Sequence, residues 1–473
     1  MRKNYINGDW VDALSHQTKP LINPASEEKI ADLPFGNADD YRLAISAAIR
    51  SWDSWQSKSP YFRAEILKTT ARIIREKTEG IAHDMVLESG KPLLEAKAEI
   101  GVAANLFEWF AEEGKRCYGR TIPSFRTNKR MSVIYQPLGV VGAITAWNFP
   151  AYNPARCWAA ILAAGCTLVA RSSEHTPLTA MHIMSALHEA GIPQGVANFV
   201  HGEAKIAGTL FLEHPKVRKI SFTGSTEVGK LLIQGSNITN TRLALEMGGN
   251  APAIICQDMD PIYAAKESVK GKFRNAGQVC IAPQRFFIHQ SIFDDFVATA
   301  TQEINRIHVG NGLDEATQMG PLIHGNHREG VMKFIEKAKG EGAKIHCGGE
   351  KLPGKGFFMS PCLMEANENH HFQKAEVFGP VMIVTPFETD EEAIELANDV
   401  PFGLAAYVMT ENLNKAIYFS EKLDAGIIGV NEWLPQATEA PFGGWKESGI
   451  GFESGSEGLL EYMDKKLISI GNL

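Results

Sequence analysis

Residues 140–170 read VVGAITAWNFPAYNPARCWAAILAAGCTLVA, and the fold is decided there. An apolar run rich in β-branched residues, 140–145, precedes a helical stretch ending at Ala164, and a second short run follows at 167–170. Two runs too short for helices, joined by a helix-length segment, give the β-α-β rhythm of a parallel sheet. The rhythm continues outward: a helix to Ala190, runs at 197–200 and 217–222, then another helix. A second series takes it up at 251–256, 285–289, 405–410 and 426–431. The predicted class is α/β, with two tandem Rossmann-like open-sheet units.

Upstream, the first hundred residues read as a leading segment followed by helices. Leu43, Ala47 and Trp52 are among the apolar positions after Asp39-Asp40, and further helical patterns lie at 66–74 and 93–110. This region reads as packing without chemistry. A polar stretch from about 116 leads into the strand-like Met131-Ser132-Val133-Ile134-Tyr135, which an arm or hairpin would explain. Residues 462–470 alternate like an edge strand.

A chain of 473 residues exceeds one ordinary core and calls for two or three packed units. Its apolar share of 44% and charged share of 22% are those of a soluble globular protein. A net charge of −8 supplies no basic field, so neither nucleic acid nor an anionic membrane is an expected partner. Without an apolar run of signal-peptide or membrane-spanning length, the expected location is the cytoplasm. Seven cysteines (117, 157, 166, 256, 280, 347 and 362) are scattered with no CxxC pair, which favours reduced thiols. The nearest approach to a metal-ligand cluster is the tandem His370-His371, and no metal is assigned.

Three places carry candidate chemistry. In the first, 222–230, Phe222-Thr223-Gly224-Ser225 follows an apolar run and opens a helix, where backbone N–H groups can cradle a phosphate. A plain tight turn fits the same residues. The GxGxxG fingerprint is absent, its nearest misses at Gly310 and Gly449 lacking the third glycine. In the second, Cys280 follows Arg274-Asn275-Ala276-Gly277-Gln278-Val279, where a helical pattern breaks at glycine and leaves the thiol on a loop. Position alone would also suit a small buried hydrophobe. In the third, Glu246 ends the strand-like Arg242-Leu243-Ala244-Leu245, and Asn148 in Trp147-Asn148-Phe149-Pro150 follows the 140–145 run. Both would emerge at the carboxyl edge of a sheet, as site residues or as a solvated charge and a turn former.

Taken together, the motifs resemble those of the NAD(P)-dependent aldehyde dehydrogenases, in family order. They are Trp147-Asn148-Phe149-Pro150, Phe222-Thr223-Gly224-Ser225, Glu246-Met247-Gly248-Gly249-Asn250, Gly277-Gln278-Val279-Cys280, Glu376-Val377-Phe378-Gly379-Pro380 and Pro441-Phe442-Gly443-Gly444. The resemblance implies Cys280 as nucleophile, Glu246 as general base, and Asn148 with the Cys280 N–H as oxyanion donors. It implies Gly224 and Ser225 at the cofactor pyrophosphate and Glu376 and Phe378 at the nicotinamide end. Thr145, Trp147, Arg171, Ser173, Glu174 and Gly248 complete the implied cofactor set. Glu174 suits the adenosine ribose of NAD, whereas Arg171, in a position commonly lysine, leaves NADP open.

Within the family the chain is most similar to succinate-semialdehyde dehydrogenases. Arg156 and Arg274 match the pair that grips the substrate's distal carboxylate there. The serine that assists them is replaced by Gln436 or Ala437, which leaves glutarate semialdehyde or another anionic aldehyde open. Ala282 stands where some members carry a second cysteine. Glu246 favours water over coenzyme A as acyl acceptor, and the presence of Cys280, Glu246 and Asn148 together argues against a non-catalytic homologue. The resemblance further implies a cofactor domain of residues 1–115 and 137–247, a catalytic domain of 248–445, and a β oligomerisation arm of 116–136 and 446–473. A homodimer or homotetramer is expected.

Overall fold

The computed structural model describes residues 2–367 and 371–472. His370, and with it the tandem histidine pair, lies outside the described residues. The strand Val140–Ile144 is buried along its whole length. Strands covered on both faces need continuous apolar runs rather than alternation, which is why this one reads as it does. It stands within an eight-stranded sheet. On one side Thr167–Arg171 and Ala197–Phe199 follow in parallel, and on the other Val217–Thr223 and Arg242–Glu246. The chain thus winds outward in both directions from Val140–Ile144, and the crevice beyond the carboxyl ends of diverging strands is where such sheets bind ligands.

The first sheet has edges the sequence reading left unassigned. Asn4–Ile6 and Asp9–Val11 form a hairpin and pair through Tyr5 with Phe199. Its turn is Asn7-Gly8, both at positive φ, which is the type I′ geometry that Asn-Gly favours. Gly449–Ile450, placed in the arm by the sequence reading, instead pairs antiparallel with Leu245–Glu246. Its backbone covers the strand that ends in the candidate base.

The second sheet has seven strands in the order Lys344–Cys347, Cys362–Glu365, Val381–Phe387, Pro283–His289, Ala251–Ile255, Ala405–Met409 and Ile427–Val430. All but the outermost pair at 344–347 are parallel. The first three of these were not assigned from the sequence: Lys344–Cys347 and Cys362–Glu365 are only four residues each between long loops, whereas Val381–Phe387 does carry a readable apolar run at 381–384. A third, three-stranded antiparallel sheet joins Met463–Gly471, Lys129–Pro137 and Arg120–Ile122. Each large sheet has a larger core on one face, around Trp55, Phe107 and Trp158 in the first and Phe286, Phe296 and Met382 in the second, and a smaller cluster on the other face, around Tyr41 and Phe211 and around Phe287 and Phe419.

The first helix, Ala38–Gln56, starts at a reciprocal Asn37/Asp40 capping box. Its buried face is Tyr41, Ala44, Ile45, Ala48 and Trp55. Leu43, read as an apolar position of this helix, is 48% exposed. The 3.6-residue period places 41, 44, 45 and 48 on one stripe and turns position 43 away from it.

Candidate active site

The loop leaving Val140–Ile144 carries Thr145, Trp147 and Asn148 before the helix Tyr152–Ala164 begins. Asn148 is buried, and its amide is fixed at both ends. Nδ2 donates to the Gln278 carbonyl at 3.2 Å, and Oδ1 accepts from Asn153 Nδ2 at 3.1 Å. From the second unit, the helix Pro261–Phe273 ends at Arg274, and Asn275, Ala276 and Gly277 follow with φ of 49°, 55° and 68°. Three successive left-handed residues turn the chain sharply. Gly277 has no alternative, since a Cβ there would stand 2.2 Å from the Gly379 carbonyl oxygen. Non-glycine residues in this conformation cost on the order of 1–3 kcal/mol each and persist only where their surroundings hold them. Here Asn275 Nδ2 donates to the carbonyls of Asn148 (3.0 Å) and Gln278 (3.2 Å). Beyond the turn, Tyr407 Oη donates to the Ile281 carbonyl at 2.6 Å.

Cys280 stands where two cavities meet. One, of about 380 Å³, is lined by Phe149, Tyr152, Arg156, Arg274, Gln436 and Phe442 among others. The other, of about 230 Å³, is lined by Trp147, Asn148, Gly224, Ser225, Glu246, Gly248, Glu376 and Phe378 among others. Asn153 and Cys280 line both. Burial pushes the Cys280 thiol up to about 12, partly opposed by Arg156 and reinforced by Glu246 and Glu376. Glu246 is raised well above the usual carboxylate range, by burial first; Arg156 opposes the shift and Glu453 adds to it. Its Oε2 is buried with no hydrogen-bond partner. A protonated thiol and a carboxylate of high proton affinity therefore share one enclosed space.

The two arginines differ. Arg156 is buried, paired with Glu453 and stacked 4.2 Å over the Phe442 ring. Glu453 also accepts from Ser221 Oγ at 3.2 Å. Burial works against the Arg156 charge, but Glu453, Tyr152, Glu246 and Cys280 together outweigh it and the guanidinium stays firmly protonated. Arg274 is half-buried, lies 5.4 Å over the Phe149 ring, and has no ion-pair partner among the described residues. The Oε1 of Gln436 is likewise buried without a partner.

On the second cavity, Ser225 caps the helix Thr226–Gly235, accepting from the Val228 N–H at 3.3 Å. The open N–H groups and dipole of that helix start suit an anion. Glu376 accepts the Gly249 N–H at 3.0 Å, and a Cβ at Gly248 would come within 2.5 Å of its Oε2. Burial pushes this carboxyl up to about 7 against the pull of the Gly249 N–H and Lys272. Phe378 and Trp147 meet edge to face at 5.4 Å. A dinucleotide bound here would be held by the Thr226–Gly235 helix start with Ser225 at its phosphates and by Glu376 and Phe378 at its nicotinamide end.

Thr145, Arg171, Ser173 and Glu174 lie outside both cavities, at the ends of the adjoining strands. The Thr145 N–H donates to the Arg171 carbonyl at 3.0 Å, while its Oγ1 is buried and unpartnered. Ser173 Oγ accepts the His175 N–H at 3.3 Å. Arg171 is buried, donates from Nε to the Gly202 carbonyl at 3.0 Å, and pairs through Nη2 with Glu174. Burial would raise the Glu174 carboxyl, but Arg171, with a backbone N–H, His175 and Lys19, together override it and hold the group down to about 2.

The residues implied for catalysis and substrate therefore surround one thiol, and most of the cofactor set lines the cavity behind it. The sequence reading missed Lys91, Glu95 and Glu99, which line the larger cavity, so treating the first hundred residues as packing alone is corrected here. Glu95 and Glu99 sit four apart on a helix, a spacing that equally describes a solvated face. Glu453 and Asn153 left no signal, because their partners are distant in sequence or depend on how a loop folds. Among the described residues no cluster could hold a metal ion, and no helix is long and apolar enough to cross a membrane.

The comparisons agree with this geometry. A model of the aldehyde dehydrogenase family matches residues 10–468. The NADP-linked succinate-semialdehyde dehydrogenase of Escherichia coli (strain K12) is 40% identical, the alignment covering 98% of this chain and 97% of the relative. Glutarate-semialdehyde dehydrogenase of Pseudomonas putida is 39% identical over 98% of this chain and 97% of its own. A crystal structure of an E. coli NADP-dependent enzyme superposes with a TM-score of 0.98 at 39% identity, covering 99% of this chain and 98% of that one. With a full-length family match, a nearly superposable fold, and a cysteine, a glutamate and an asparagine gathered at one cavity junction, the chain belongs to the aldehyde dehydrogenase family.

Proposed function

We propose that this enzyme oxidises a small aldehyde bearing a distal anionic group, with succinate semialdehyde the leading candidate, to the corresponding acid. The observation that carries the reading is Arg274, a cation without an ion-pair partner among the described residues, lining the same cavity as Cys280. Similar proteins act by name on succinate, glutarate and aspartate semialdehydes and on 3-sulfolactaldehyde, each an aldehyde with an acidic group. In this reading Cys280 Sγ loses its proton to solvent and bonds to the carbonyl carbon, Glu246 staying free for the later step, and the alkoxide of the thiohemiacetal is met by Asn148 Nδ2 and the Cys280 N–H. A bound nicotinamide supplies the hydride acceptor. Glu246 then takes a proton from water, which attacks the thioester; the C–S bond breaks and the acid leaves.

The pairing of Arg156 with Glu453 revises the two-arginine clamp. Arg156 shapes the cavity wall, and Arg274, with the Gln436 amide beside it, is left to recognise the anion. A single charge-assisted hydrogen bond of about 1.5–3 kcal/mol corresponds to a factor of about ten to a hundred and fifty. The test is kcat/KM for succinate semialdehyde against butanal, its uncharged counterpart. A preference within that range or above is expected, and equal efficiency overturns the anionic reading. NAD is the proposed acceptor, because Arg171 is committed to Glu174 and the Gly202 carbonyl rather than open to a 2′-phosphate. We further propose a homodimer or dimer of dimers, in which the exposed apolar edge strand Met463–Gly471 is covered by another subunit.

A further inference from the structure

The helix Leu93–Glu113 and the residues just before it reach both loops of the reaction centre. Lys91 and Glu99 form an ion pair whose side chains are 1% and 3% exposed. Lys91 Nζ also donates to the Asn148 carbonyl at 2.9 Å and lies 4.5 Å over the Phe149 ring. The second oxygen of Glu99 accepts the N–H groups of Ala151 (2.7 Å) and Tyr152 (3.1 Å). The helix Tyr152–Ala164 has no capping side chain of its own. Glu99 thus provides, from a different helix, the acceptor and negative charge that a helix start lacks.

One turn earlier, Glu95 accepts the Asn275 N–H at 3.0 Å, at the first of the three left-handed residues before Cys280. Residues four apart face the same way on a helix. One helix face therefore holds the Asn148 loop through Glu99 and the Cys280 loop through Glu95. The Asn148 carbonyl, which accepts from both Lys91 Nζ and Asn275 Nδ2, ties the loops to each other. Burying an ammonium and a carboxylate is costly compared with apolar packing, and helix packing alone does not call for them at these positions.

We infer that Lys91, Glu95 and Glu99 are positioning residues that set the separation between the Asn148 amide and Cys280, an inference that rests on the covalent reading of Cys280. They act through the two loops, so their loss lowers kcat rather than raising KM. A misplacement of about 1 Å can cost on the order of a hundredfold in rate. The experiment compares kcat, KM for succinate semialdehyde and melting temperature in Glu95→Leu, Glu95→Gln and the double variant Lys91→Met/Glu99→Leu. The double change removes both buried charges together and leaves neither unpaired. Expected is a fall in kcat of about tenfold to a hundredfold in Glu95→Leu and in the double variant, with KM near its original value. Glu95→Gln, whose amide oxygen still accepts the Asn275 N–H, recovers most of the rate. Unchanged kcat in the folded Glu95→Leu and double variants, or a raised KM at unchanged kcat, overturns the inference. Cys280→Ala separates the two claims: full activity in that variant refutes the covalent reading, whereas its loss beside an unaffected Glu95→Leu refutes only the positioning role.

Discussion

At the scale of single residues, the chemistry turns on one buried carboxyl, Glu246, and one half-buried thiol, Cys280. Cys280 and Glu246 both hold their protons more tightly than in water, because burial penalises their charged forms. Glu246 must be deprotonated to activate water, so turnover is expected to rise with pH through its elevated pKa. Glu246→Gln removes the acceptor. Its steady-state rate should fall by about 10²- to 10⁴-fold and lose that pH dependence, while a first-turnover burst of reduced cofactor remains. Rapid-mixing absorbance across a pH series checks this, and a burst lost in parallel with turnover would place Glu246 before the hydride step. The Arg171–Glu174 pair makes a second residue-level prediction. Glu174→Gln removes the carboxylate that occupies Arg171, and freeing a guanidinium beside the adenosine end should raise kcat/KM with NADP at the expense of NAD. Initial rates with both cofactors test it; an unchanged ratio would mean Arg171 stays engaged elsewhere.

At the scale of elements, the site is made by ends rather than by bodies of helices and strands. Val140–Ile144, Val217–Thr223 and Arg242–Glu246 run parallel, so the residues that follow or end them emerge on the same edge. Their short apolar runs made them readable. The helix Thr226–Gly235 contributes through its first turn, capped by Ser225. Ser225→Ala should cost about 1 kcal/mol of stability and raise KM for the cofactor severalfold, because the cap orders the N–H groups that face the phosphate. Thermal melting with and without cofactor measures both effects. Stabilisation by cofactor identical to that of the original protein would remove Ser225 from the phosphate site. The Asn7-Gly8 hairpin was also written in the sequence, as an Asn-Gly turn between short runs, but its strands are only three residues long. Lys344–Cys347 and Cys362–Glu365 have turn residues between them, Gly348-Gly349 and Pro353-Gly354, but a loop from 348 to 361 in place of a tight two-residue turn.

For the whole molecule, two large sheets packed on both faces and a separate three-stranded sheet leave one conspicuous edge. Leu467 and Ile470 on the strand Met463–Gly471 are 60% and 50% exposed. A strand paired on one side only, with such side chains, invites another strand or surface along its open edge. Light scattering should give a mass at least twice the 51.9 kDa of the chain, and Leu467→Glu with Ile470→Lys should shift it toward the monomer. A monomeric original protein at micromolar concentration would exclude the proposed assembly.

The sequence by itself determined the parallel α/β character, since buried strands and their crossover helices impose apolar runs of fixed length. It also determined the chemical types at the site, because the nucleophile, base and amide sit in local motifs whose order survives without coordinates. Only the tertiary structure decided which charges are already spent. Arg156 meets Glu453, Arg171 meets Glu174, and Lys91 meets Glu99, whereas Arg274 meets no carboxylate within ion-pair distance among the described residues. The Arg156 partner lies about three hundred positions away in the chain, and even the close pairs depend on loop and helix geometry. Ion pairing is set by distance and burial in space, and no local pattern of residues encodes either.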